Sequence, residues 1–581
     1  MGNLYSYFNS SNNENSNDEF MENEIFYNKV KNYKHKIIEL NKIVHILNNF
    51  YSNSDNVLEY CFDLLKKAHD VLPEFKLEKR NYFKRFKKYY KTTLTKNQIE
   101  KLMISESTIF HFDHDISLDI PNNIKMNFYD INLGEYNESF TEVTYKKDYM
   151  GITKKFLKLI PSFHKAKLIQ LFNNLLLDNS IKDIEKNSIG IGYLIYKISK
   201  NGPLDDIKSF RVITTIPNVI NHFHRILSIR LSNYFLINNL INTEINKGSI
   251  PGIKQPILEQ IVKARKICED TNNHIMFLDI SNAFPSVNII GLIKLLSKYN
   301  VDTKLINYIK SYYDRLKYKI YIDKDSSTDF IRWNQGLIQG CPMSPILFIV
   351  IMNYIISIAD KKYRNLYGAK IYSKNIMFLA YIDDICISCN SAEGLEIVYN
   401  ELKSLLSQFN LTINKEKTKI MSNNNDYLKD FERVTSFKYL GEIIEFGKSK
   451  STVYKSIFKS LYKKLYRIHK ATYNDDVKKY IFNIYVLNWF TKKMLVYYDL
   501  EPELKENLFK VIIYFTSKWK FDNSIINLLA GKTVPLVLSY SNDSYIKEII
   551  YNTIFDYKYP NESRNKFFNI IKNLGCDFNY S

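Results

Sequence analysis

The feature that most limits how this chain can fold is a pair of adjacent aspartates inside an otherwise apolar stretch. Asp383 and Asp384 are preceded by the apolar run 376–380 and followed by the apolar run 385–387. Short apolar runs of this kind are typical of buried strands, so we expect the two carboxylates at the tip of two strands. Crowded like charges beside a core are unfavourable unless a cation neutralises them, and carboxylate oxygens suit a divalent metal ion. The sequence therefore predicts metal-assisted chemistry at this turn, with phosphates as the expected substrates.

A third aspartate, Asp279, follows a second apolar run at 274–278, which also reads as a buried strand. An aspartate at a strand end, followed by a turn and a helix, can face the strand that carries Asp383. Two carboxylates placed in this way can bridge two magnesium ions. One ion would activate an attacking hydroxyl, and the other would stabilise the leaving phosphate oxygen.

The segment between these aspartates contains Gly340, where the absence of a side chain lets the backbone approach a ligand closely. The apolar run Ile346–Ile358 follows and predicts a helix that is apolar nearly all round, and therefore buried. This run is the longest of its kind in the chain, and it is too short to cross a bilayer. We therefore expect no transmembrane segment.

Three motifs occur in a fixed order: D-x-x-x-A-F at 279–284, Q-G-x-P-x-S-P at 339–345 and Y-x-D-D at 381–384. Taken with the segments 209–213, 411–419 and 437–441, they resemble a reverse transcriptase over roughly residues 195–445, most similar to the non-LTR retrotransposon and group II intron type. The resemblance implies an α+β, right-hand polymerase fold with fingers, palm and thumb. It also implies a helical N-terminal extension and a helical C-terminal thumb.

The organisation that follows has five parts along the chain. These are a disordered tail at 1–24, a basic helical extension at 25–150, fingers at 151–275, a palm with the catalytic core at 276–444, and a helical thumb and C-terminal region at 445–581. The tail is assigned from its composition, which is rich in Asn, Ser, Asp and Glu.

The same resemblance assigns metal ligands. Asp279 and Asp383 would ligate two Mg²⁺ ions, for which Mn²⁺ could substitute, Asp384 would support them, and the backbone oxygen of Ile280 would complete one shell. These three aspartates are also the catalytic residues that the resemblance implies.

Four residues would contact parts of the incoming nucleotide other than its sugar. Arg211 would pair with the triphosphate, because a guanidinium fork suits phosphate oxygens. Gln339 and Gly340 would border the nucleotide and the template. Lys417 would lie near the pyrophosphate and act as a general acid, although a solvated lysine among its neighbours remains an open alternative.

Phe284 is the residue that would select the sugar. It falls five residues after Asp279, where the family places a ring under the sugar that leaves no room for a 2′-hydroxyl. The alternative is an ordinary core phenylalanine. Pro285 and Val212 depart from the usual family pattern, which has Asp and Pro at these positions, so the subfamily stays open.

Two basic segments are candidates for nucleic-acid binding in a chain whose formal net charge is +20. The first predicts a helix with a cationic face opposite an apolar one, suited to a thumb that holds a duplex or, alternatively, to a plain surface helix; its basic residues are Lys455, Lys459, Lys463 and Arg467. The second interleaves basic and aromatic residues and suits either a nucleic-acid backbone or an ordinary amphipathic helix; its basic residues include Lys84, Arg85, Lys87 and Lys88.

The implied function is an RNA-directed DNA polymerase that extends the 3′-hydroxyl of a DNA or RNA primer on an RNA template with deoxynucleotides. Two alternatives stay open: a template-independent polymerase of the defence type, and a maturase-like scaffold that binds RNA in a ribonucleoprotein. No nuclease is recognisable in the sequence, so we expect a nuclease or ribonucleoprotein partner in trans. The oligomeric state is not predicted.

The six cysteines are sparse and unpatterned, which indicates a reducing, intracellular compartment without distinguishing cytoplasm from nucleus. Cys386 and Cys389 form a lone C-x-x-C that we interpret as strand residues rather than zinc ligands. The first six residues match the short myristoylation pattern at Gly2, where a chance match is the favoured reading.

Overall fold

The computed structural model describes most of the chain between residues 45 and 519. The described residues are 45, 47, 48, 50, 52–71, 94–105, 112–118, 120–121, 123–140, 147–177, 181–196, 203–206, 209–251, 253, 256–322, 326–371, 374–447, 451–497 and 500–519. The predicted tail, the Gly2 pattern and the basic residues Lys84, Arg85, Lys87 and Lys88 lie outside these ranges.

The described chain alternates helices and short strands. Its helices are α1 (Val57–Val71), α2 (Lys96–Ser105), α3 (Leu133–Glu138), α4 (Lys154–Leu159), α5 (Ser162–Leu175), α6 (Ile181–Asn187), α7 (Asn218–Ile237), α8 (Pro256–Glu269), α9 (Ala283–Ser286), α10 (Ile289–Lys298), α11 (Thr303–Arg315), α12 (Ser344–Tyr367), α13 (Ala392–Gln408), α14 (Ser451–Lys470), α15 (Asp475–Ile481), α16 (Asn488–Val496) and α17 (Pro502–Lys518), with a π-helical turn at Phe482–Leu487. Its strands are β1 (Ile189–Tyr196), β2 (Phe210–Thr215), β3 (His274–Leu278), β4 (Ile280–Ser281), β5 (Lys317–Tyr321), β6 (Ile331–Arg332), β7 (Ala369–Ile371), β8 (Lys374–Ile376), β9 (Phe378–Tyr381), β10 (Asp384–Cys389), β11 (Thr412–Ile413), β12 (Lys419–Met421), β13 (Glu432–Arg433), β14 (Ser436–Tyr439) and β15 (Glu442–Glu445).

The chain divides into two compact units. The first consists of Met1–His111, Ile116–Arg230 and Leu296–Ser344, and the second of Phe112–Asp115, Leu231–Leu295 and Pro345–Ser581. These units are defined by which residues pack together in the folded chain. The five predicted parts were instead defined by the order of the motifs along the sequence.

The first unit contains a four-stranded sheet in the order β2-β1-β5-β6. Strand β1 pairs antiparallel with β2 and parallel with β5, and its β-branched and aromatic residues suit such a half-buried surface. A small apolar cluster packs on this sheet and joins it to helix α2; it consists of Leu94, Ile99, Tyr318, Ile320 and Ile331. The sheet places Arg211 opposite Ile195, in the antiparallel pair β1–β2.

Helix α7 carries two histidines into the core of the first unit. The Nε2 atom of His224 lies 2.7 Å from the hydroxyl of Tyr308, and its Nδ1 atom lies 3.1 Å from the Sγ atom of Cys341. Burial lowers the pKa of His224 to about 3, and burial is also the main cause that lowers the pKa of His222 to about 3. Both imidazoles are therefore neutral in the folded protein at neutral pH.

We expect the two histidines to make the fold sensitive to acid. Below an ordinary histidine pKa of about 6.5 the unfolded chain binds protons that the folded chain does not, so stability falls as the pH falls from 6.5 towards 3. Each histidine should contribute about 1.4 kcal/mol per pH unit to the slope of unfolding free energy against pH over this window. The measurement is chemical denaturation at several pH values between about 7 and 4.

A variant comparison isolates this effect from other groups that titrate in the same window. The slope should be smaller in His224→Gln, which removes one buried imidazole and keeps a polar group beside Tyr308. The same change at the exposed His114 is the matched control and should leave the slope as it is in the wild type. Equal slopes in the wild type and His224→Gln would show that His224 is not the source of the acid sensitivity.

The second unit is built around a five-stranded sheet in the order β13-β12-β3-β10-β9. Its central strand β3 pairs antiparallel with β10 on one side and β12 on the other. One face packs on α8 through Ala264, Ile267, Ile275 and Phe277, and helix α13 contacts strands β3 and β10. Cys386 and Cys389 are buried, free thiols within β10, as predicted for strand residues.

Helix α12 contains the long apolar run that was predicted to form a buried helix. Its residues Ile346–Ile356 are mostly buried, which confirms that prediction. The helix is long and apolar enough to cross a membrane by length and composition, but 78% of its most apolar window is buried inside the protein. A core helix of a soluble protein passes the same test, so this feature is weak evidence for a membrane span.

The C-terminal helices of the second unit share a further core. On α14 the buried residues recur every fourth position, as the sequence predicts, at Val453, Ile457, Leu461 and Leu465. They pack against the π-helical turn, α16, α17 and part of α8. The carboxylate of Glu445, at the end of β15, accepts hydrogen bonds from the amides of Thr452 and Val453 at 3.3 and 3.2 Å, and so satisfies amide donors at the start of the helix.

Candidate active site

Strands β3 and β10 bring the predicted aspartates to one end of the sheet in the second unit. Ile385 pairs with Leu278 at the end of the antiparallel register, and Asp384 and Asp279 are the next residues beyond this pair on the two strands. Asp383 precedes Asp384 in the two-residue turn between β9 and β10, where Tyr381 pairs with Asp384. The structure therefore groups Asp279, Asp383 and Asp384 at adjacent strand ends, as the apolar runs predicted.

The charges of these aspartates act on one another. Desolvation, followed by the negative charges of Asp383 and Asp279, raises the pKa of Asp384 to about 6, while the Lys417 ammonium opposes this rise. Asp384 keeps exposed surface, and the charges of the two neighbouring carboxylates add to the pKa rise that its desolvation causes. The site is thus a local excess of negative charge that favours a cation.

Lys417 reaches the same group from the turn that follows β11. Its Nζ atom lies 3.0 Å and 3.2 Å from the two carboxylate oxygens of Asp279. The backbone holds this turn against Asp279, because the amide of Asn414 donates to the Asp279 carbonyl at 2.8 Å and the Asp279 amide donates to the Thr418 hydroxyl at 3.2 Å. Lys417 therefore contacts a predicted metal ligand directly.

The donor set fits a divalent cation by its chemistry. Asp279, Asp383 and Asp384 offer hard carboxylate oxygens, and Ile280 lies in the adjoining strand β4, paired with Ile413. Across the described ranges, no group of three or more His, Cys, Asp or Glu side chains meets the geometric criteria of a metal site. The fit thus rests on the type of oxygen donor and on the raised pKa of Asp384, rather than on a formed coordination shell.

Phe284 lies on the helical turn α9, five residues beyond Asp279. It is half-buried, and its ring stacks on the ring of Phe348 with 4.9 Å between centroids and an interplanar angle of 15°. Phe348 is fully buried in α12. The stack fixes the plane of the Phe284 ring while part of its surface stays accessible.

The remaining predicted nucleotide contacts lie in the first unit and are close to one another. Arg211 is exposed on β2, the strand that also carries Thr214. The Thr214 amide donates to the Gln339 carbonyl at 3.2 Å. Gly340 has a φ of +124°, and a Cβ atom there would lie 2.5 Å from the Thr214 carbonyl oxygen, so only glycine fits this approach. The first unit thus places Gln339 and Gly340 against the strand of Arg211.

The predicted thumb residues are exposed on α14. Lys455, Lys459, Lys463 and Arg467 occupy the face opposite the buried one described above. A cationic stripe of this kind has the charge that suits contact with phosphates.

Two residues that touch the Asp383 turn were missed by the sequence interpretation. Asn246 and Gly248 lie in the segment before α8 and contact Ile382, the residue between Tyr381 and Asp383. Asn and Gly two positions apart are typical of any turn, so the sequence contained a signal for a loop and none for this contact.

The central part of the chain matches the model of a known protein family. Residues 198–444 match the family model described as reverse transcriptase (RNA-dependent DNA polymerase). This match confirms the resemblance drawn from the ordered motifs, which covered nearly the same residues.

Two curated relatives are polyproteins of R2 retrotransposable elements. The chain is 25% identical over 212 residues to the retrovirus-related Pol polyprotein from type-1 retrotransposable element R2 of Nasonia vitripennis, a match that covers 36% of this chain and 20% of that one. It is 24% identical over 276 residues to the Pol polyprotein from type-2 retrotransposable element R2DM of Drosophila melanogaster, covering 46% and 24%. The match spans about a fifth to a quarter of the length of these relatives.

Among solved structures, one match is an apo telomerase from Candida tropicalis truncated from the C-terminal domain. It is 14% identical, covers 45% of this chain and 54% of that chain, and has a TM-score of 0.34. A likeness at this level does not bear on the arrangement of the two units.

Proposed function

We propose, starting from the reverse transcriptase domain at residues 198–444, that this protein is an RNA-directed DNA polymerase. It extends the 3′-hydroxyl of a DNA or RNA primer on an RNA template with deoxynucleotides. The observation that carries the proposal is the grouping of Asp279 with Asp383 and Asp384 at adjacent strand ends, where desolvation and then the charges of Asp383 and Asp279 raise the pKa of Asp384. Carboxylates so arranged suit phosphoryl transfer at bound divalent ions.

Asp279, Asp383, Asp384 and the backbone oxygen of Ile280 would hold two Mg²⁺ ions, with Mn²⁺ as a substitute. When bound, these ions would activate the primer hydroxyl and neutralise the charge on the leaving pyrophosphate. The Nζ atom of Lys417 lies 3.0 Å from a carboxylate oxygen of Asp279. In this proposal Lys417 donates a proton to the pyrophosphate. Its ammonium also offsets the negative charge of the three aspartates.

The remaining nucleotide contacts follow from side-chain chemistry. Arg211 is exposed and pairs with the triphosphate in this proposal, and Gln339 and Gly340 border the nucleotide and the template. Phe284 presents the accessible part of its stacked ring to the sugar. In polymerase terms, the second unit would supply the palm and the thumb helix α14, and the first unit would supply the fingers.

The partners in this proposal are an RNA template, a primer and deoxynucleotides, with a nuclease or ribonucleoprotein partner in trans. The buried thiols of Cys61, Cys341, Cys386 and Cys389, which form no disulfide in the described part of the chain, support a proposed intracellular setting.

Primer extension on a defined RNA template tests the function. The protein is given Mg²⁺ and either deoxynucleotides or ribonucleotides, and the product is sequenced. A DNA product complementary to the template is expected. A DNA product unrelated to the template would favour the template-independent polymerase, and RNA binding without any product would favour the scaffold.

We expect the cationic stripe of α14 to contribute to duplex binding. Replacing Lys455, Lys459 and Lys463 together with Gln should weaken binding of an RNA–DNA duplex and lower the slope of log K against log salt by about 2 to 3, since each lost phosphate contact removes about 0.9. The helix should still form, because its buried face is untouched. Binding titrations at several salt concentrations measure the slope.

The control for this triple variant removes the same charge from exposed positions elsewhere in the second unit. Replacing Lys361, Lys370 and Lys403 with Gln changes the net charge equally, and these residues lie on α12, β7 and α13. The control should lower the salt slope far less. An unchanged slope in the α14 variant would show that α14 does not contact the duplex.

A further inference from the structure

The turn that carries Asp383 has an unfavourable backbone conformation. Ile382 has a φ of +60°, in the left-handed region. Two-residue turns between antiparallel strands usually place Gly, Asn or Asp at such positions, because a β-branched side chain is strained there. A strained residue persists only where the surrounding structure holds it in place.

The segment Ile245–Gly248 supplies that support. The Oδ1 atom of Asn246 accepts hydrogen bonds from the backbone amide of Ile382 at 3.4 Å and from the amide of Gly248 at 3.1 Å. Both partners are donors, so they fix the orientation of the Asn246 side-chain amide. Asn246 is 1% exposed, so water does not compete for these hydrogen bonds.

Gly248 lies directly against the same turn. A Cβ atom at this position would lie 2.6 Å from the Ile382 nitrogen and 3.0 Å from the carbonyl carbon of Tyr381. It would also lie 2.5 Å from the Cγ1 atom of Ile382, so the isoleucine side chain packs over the glycine. The turn and the segment are therefore in backbone contact, with no room for an intervening side chain.

The segment is itself held against strand β9. The Ala380 amide donates to the Ile245 carbonyl at 2.9 Å, and the Lys247 amide donates to the Ala380 carbonyl at 3.1 Å. The Nε2 atom of Gln260, on α8, donates to both of these carbonyls, at 2.7 and 3.0 Å. Asn246 is thus anchored to the sheet independently of its bond to Ile382.

We propose that Asn246 is a positioning residue for catalysis: it holds Ile382 in the left-handed conformation and so sets the direction in which Asp383 and Asp384 project. The catalytic part of this proposal rests on the proposed polymerase function. The structural part, that Asn246 stabilises the turn, does not depend on it.

Asn246→Ala is the first test. It should lower kcat for nucleotide addition by about tenfold, since a left-handed β-branched residue that loses its support is disfavoured by about that factor. The KM for the deoxynucleotide and the Kd for the primer–template should change less than about twofold, because Asn246 touches neither in this proposal. A loss confined to KM, or an unchanged kcat, would overturn the proposal.

A second substitution tests whether Asn246 acts through the left-handed conformation of Ile382. Glycine adopts a positive φ without strain, so Ile382→Gly should restore most of the kcat that Asn246→Ala removes. A double variant no more active than Asn246→Ala alone would show that Asn246 does not act through the conformation of Ile382.

Asn353→Ala is the matched control for loss of a buried asparagine. Asn353 accepts from the Asn242 amide at 2.8 Å and donates to the Leu240 carbonyl at 2.9 Å, next to the same segment. It should lower the midpoint of thermal unfolding about as much as Asn246→Ala and leave kcat near the wild-type value. Parallel losses of kcat in both variants would assign the effect to general destabilisation.

Hydrogen exchange gives a readout that needs no activity. The amide of Ile382 should exchange faster in Asn246→Ala than in the wild type or in Asn353→Ala. If the wild-type protein proves inactive but the Ile382 amide still exchanges faster in Asn246→Ala than in the wild type, the structural proposal stands and the proposed function fails. Equal exchange rates in the three proteins would overturn the structural proposal, whatever the activity.

Discussion

Replacement of Asp383 by Asn should reduce template-directed DNA synthesis by a factor on the order of 10³ or more, as the loss of a central catalytic group does in other enzymes. Asparagine keeps the size of the side chain but has one carboxylate oxygen fewer and no negative charge. The change should therefore weaken the hold on divalent cations where Asp279, Asp383 and Asp384 are grouped.

The fold should survive this substitution. Asp383 lies in a two-residue turn beside Asp384, and removing its charge relieves repulsion between like charges. The midpoint of thermal unfolding should therefore be equal to or slightly above that of the wild type, and RNA binding should be retained. Primer extension, thermal unfolding and an RNA-binding titration on the same preparation measure the three quantities.

The matched control is Asp430→Asn. Asp430 forms an ion pair with Lys415 on the surface, with 3.0 Å between the Lys415 Nζ atom and an Asp430 carboxylate oxygen, and 75% of its side chain is exposed. An exposed pair of this kind contributes little to stability, so the control should keep both activity and fold. DNA synthesis at the wild-type rate by Asp383→Asn would contradict the assignment of Asp383 to the catalytic centre.

Much of the second unit could be predicted from local patterns. The apolar runs before Asp279 and around Asp383 predicted buried strands, because a strand covered on both faces is apolar throughout. The spacing of Val453, Ile457, Leu461 and Leu465 predicted the buried face of α14 for a similar reason, since residues four apart share one side of a helix.

The contacts that position the turn could not be predicted in this way. Asn246 and Ile382 are 136 residues apart in the chain, and Lys417 and Asp279 are 138 apart. Such contacts arise only when the strands and loops have packed, and no periodic pattern records them. Two-residue turns usually place Gly, Asn or Asp in the left-handed region, so local propensity does not predict a left-handed conformation for Ile382.

The structure bears on both interpretations of Phe284 that the sequence allowed. These are a residue that selects the sugar and an ordinary core residue. The ring is half-buried and stacked on the buried Phe348, so it has features of both: one face is packed, and part of its surface is accessible. A ring fixed by stacking is a rigid steric barrier, which a mobile side chain would not be.

We therefore expect Phe284→Val to admit ribonucleotides. Removing the ring opens space for a 2′-hydroxyl, and one steric element in a binding pocket is worth about 1–3 kcal/mol, or roughly 10- to 200-fold in discrimination. The ratio of kcat/KM for deoxynucleotides to that for ribonucleotides should fall by a factor in this range. Single-nucleotide incorporation with matched dNTP and rNTP measures the ratio.

Phe348→Leu separates the gate from the stack that supports it. It removes the stacking partner of Phe284 and leaves the gate ring in place, so its main effect should be a loss of stability from the smaller core side chain, about 1 kcal/mol or more. Discrimination should fall much less than in Phe284→Val, because the ring still occupies the space beneath the sugar. If both variants keep the wild-type ratio, sugar selection lies outside this stack; if both lose it equally, the packing of α12 determines the selectivity and the Phe284 ring alone does not.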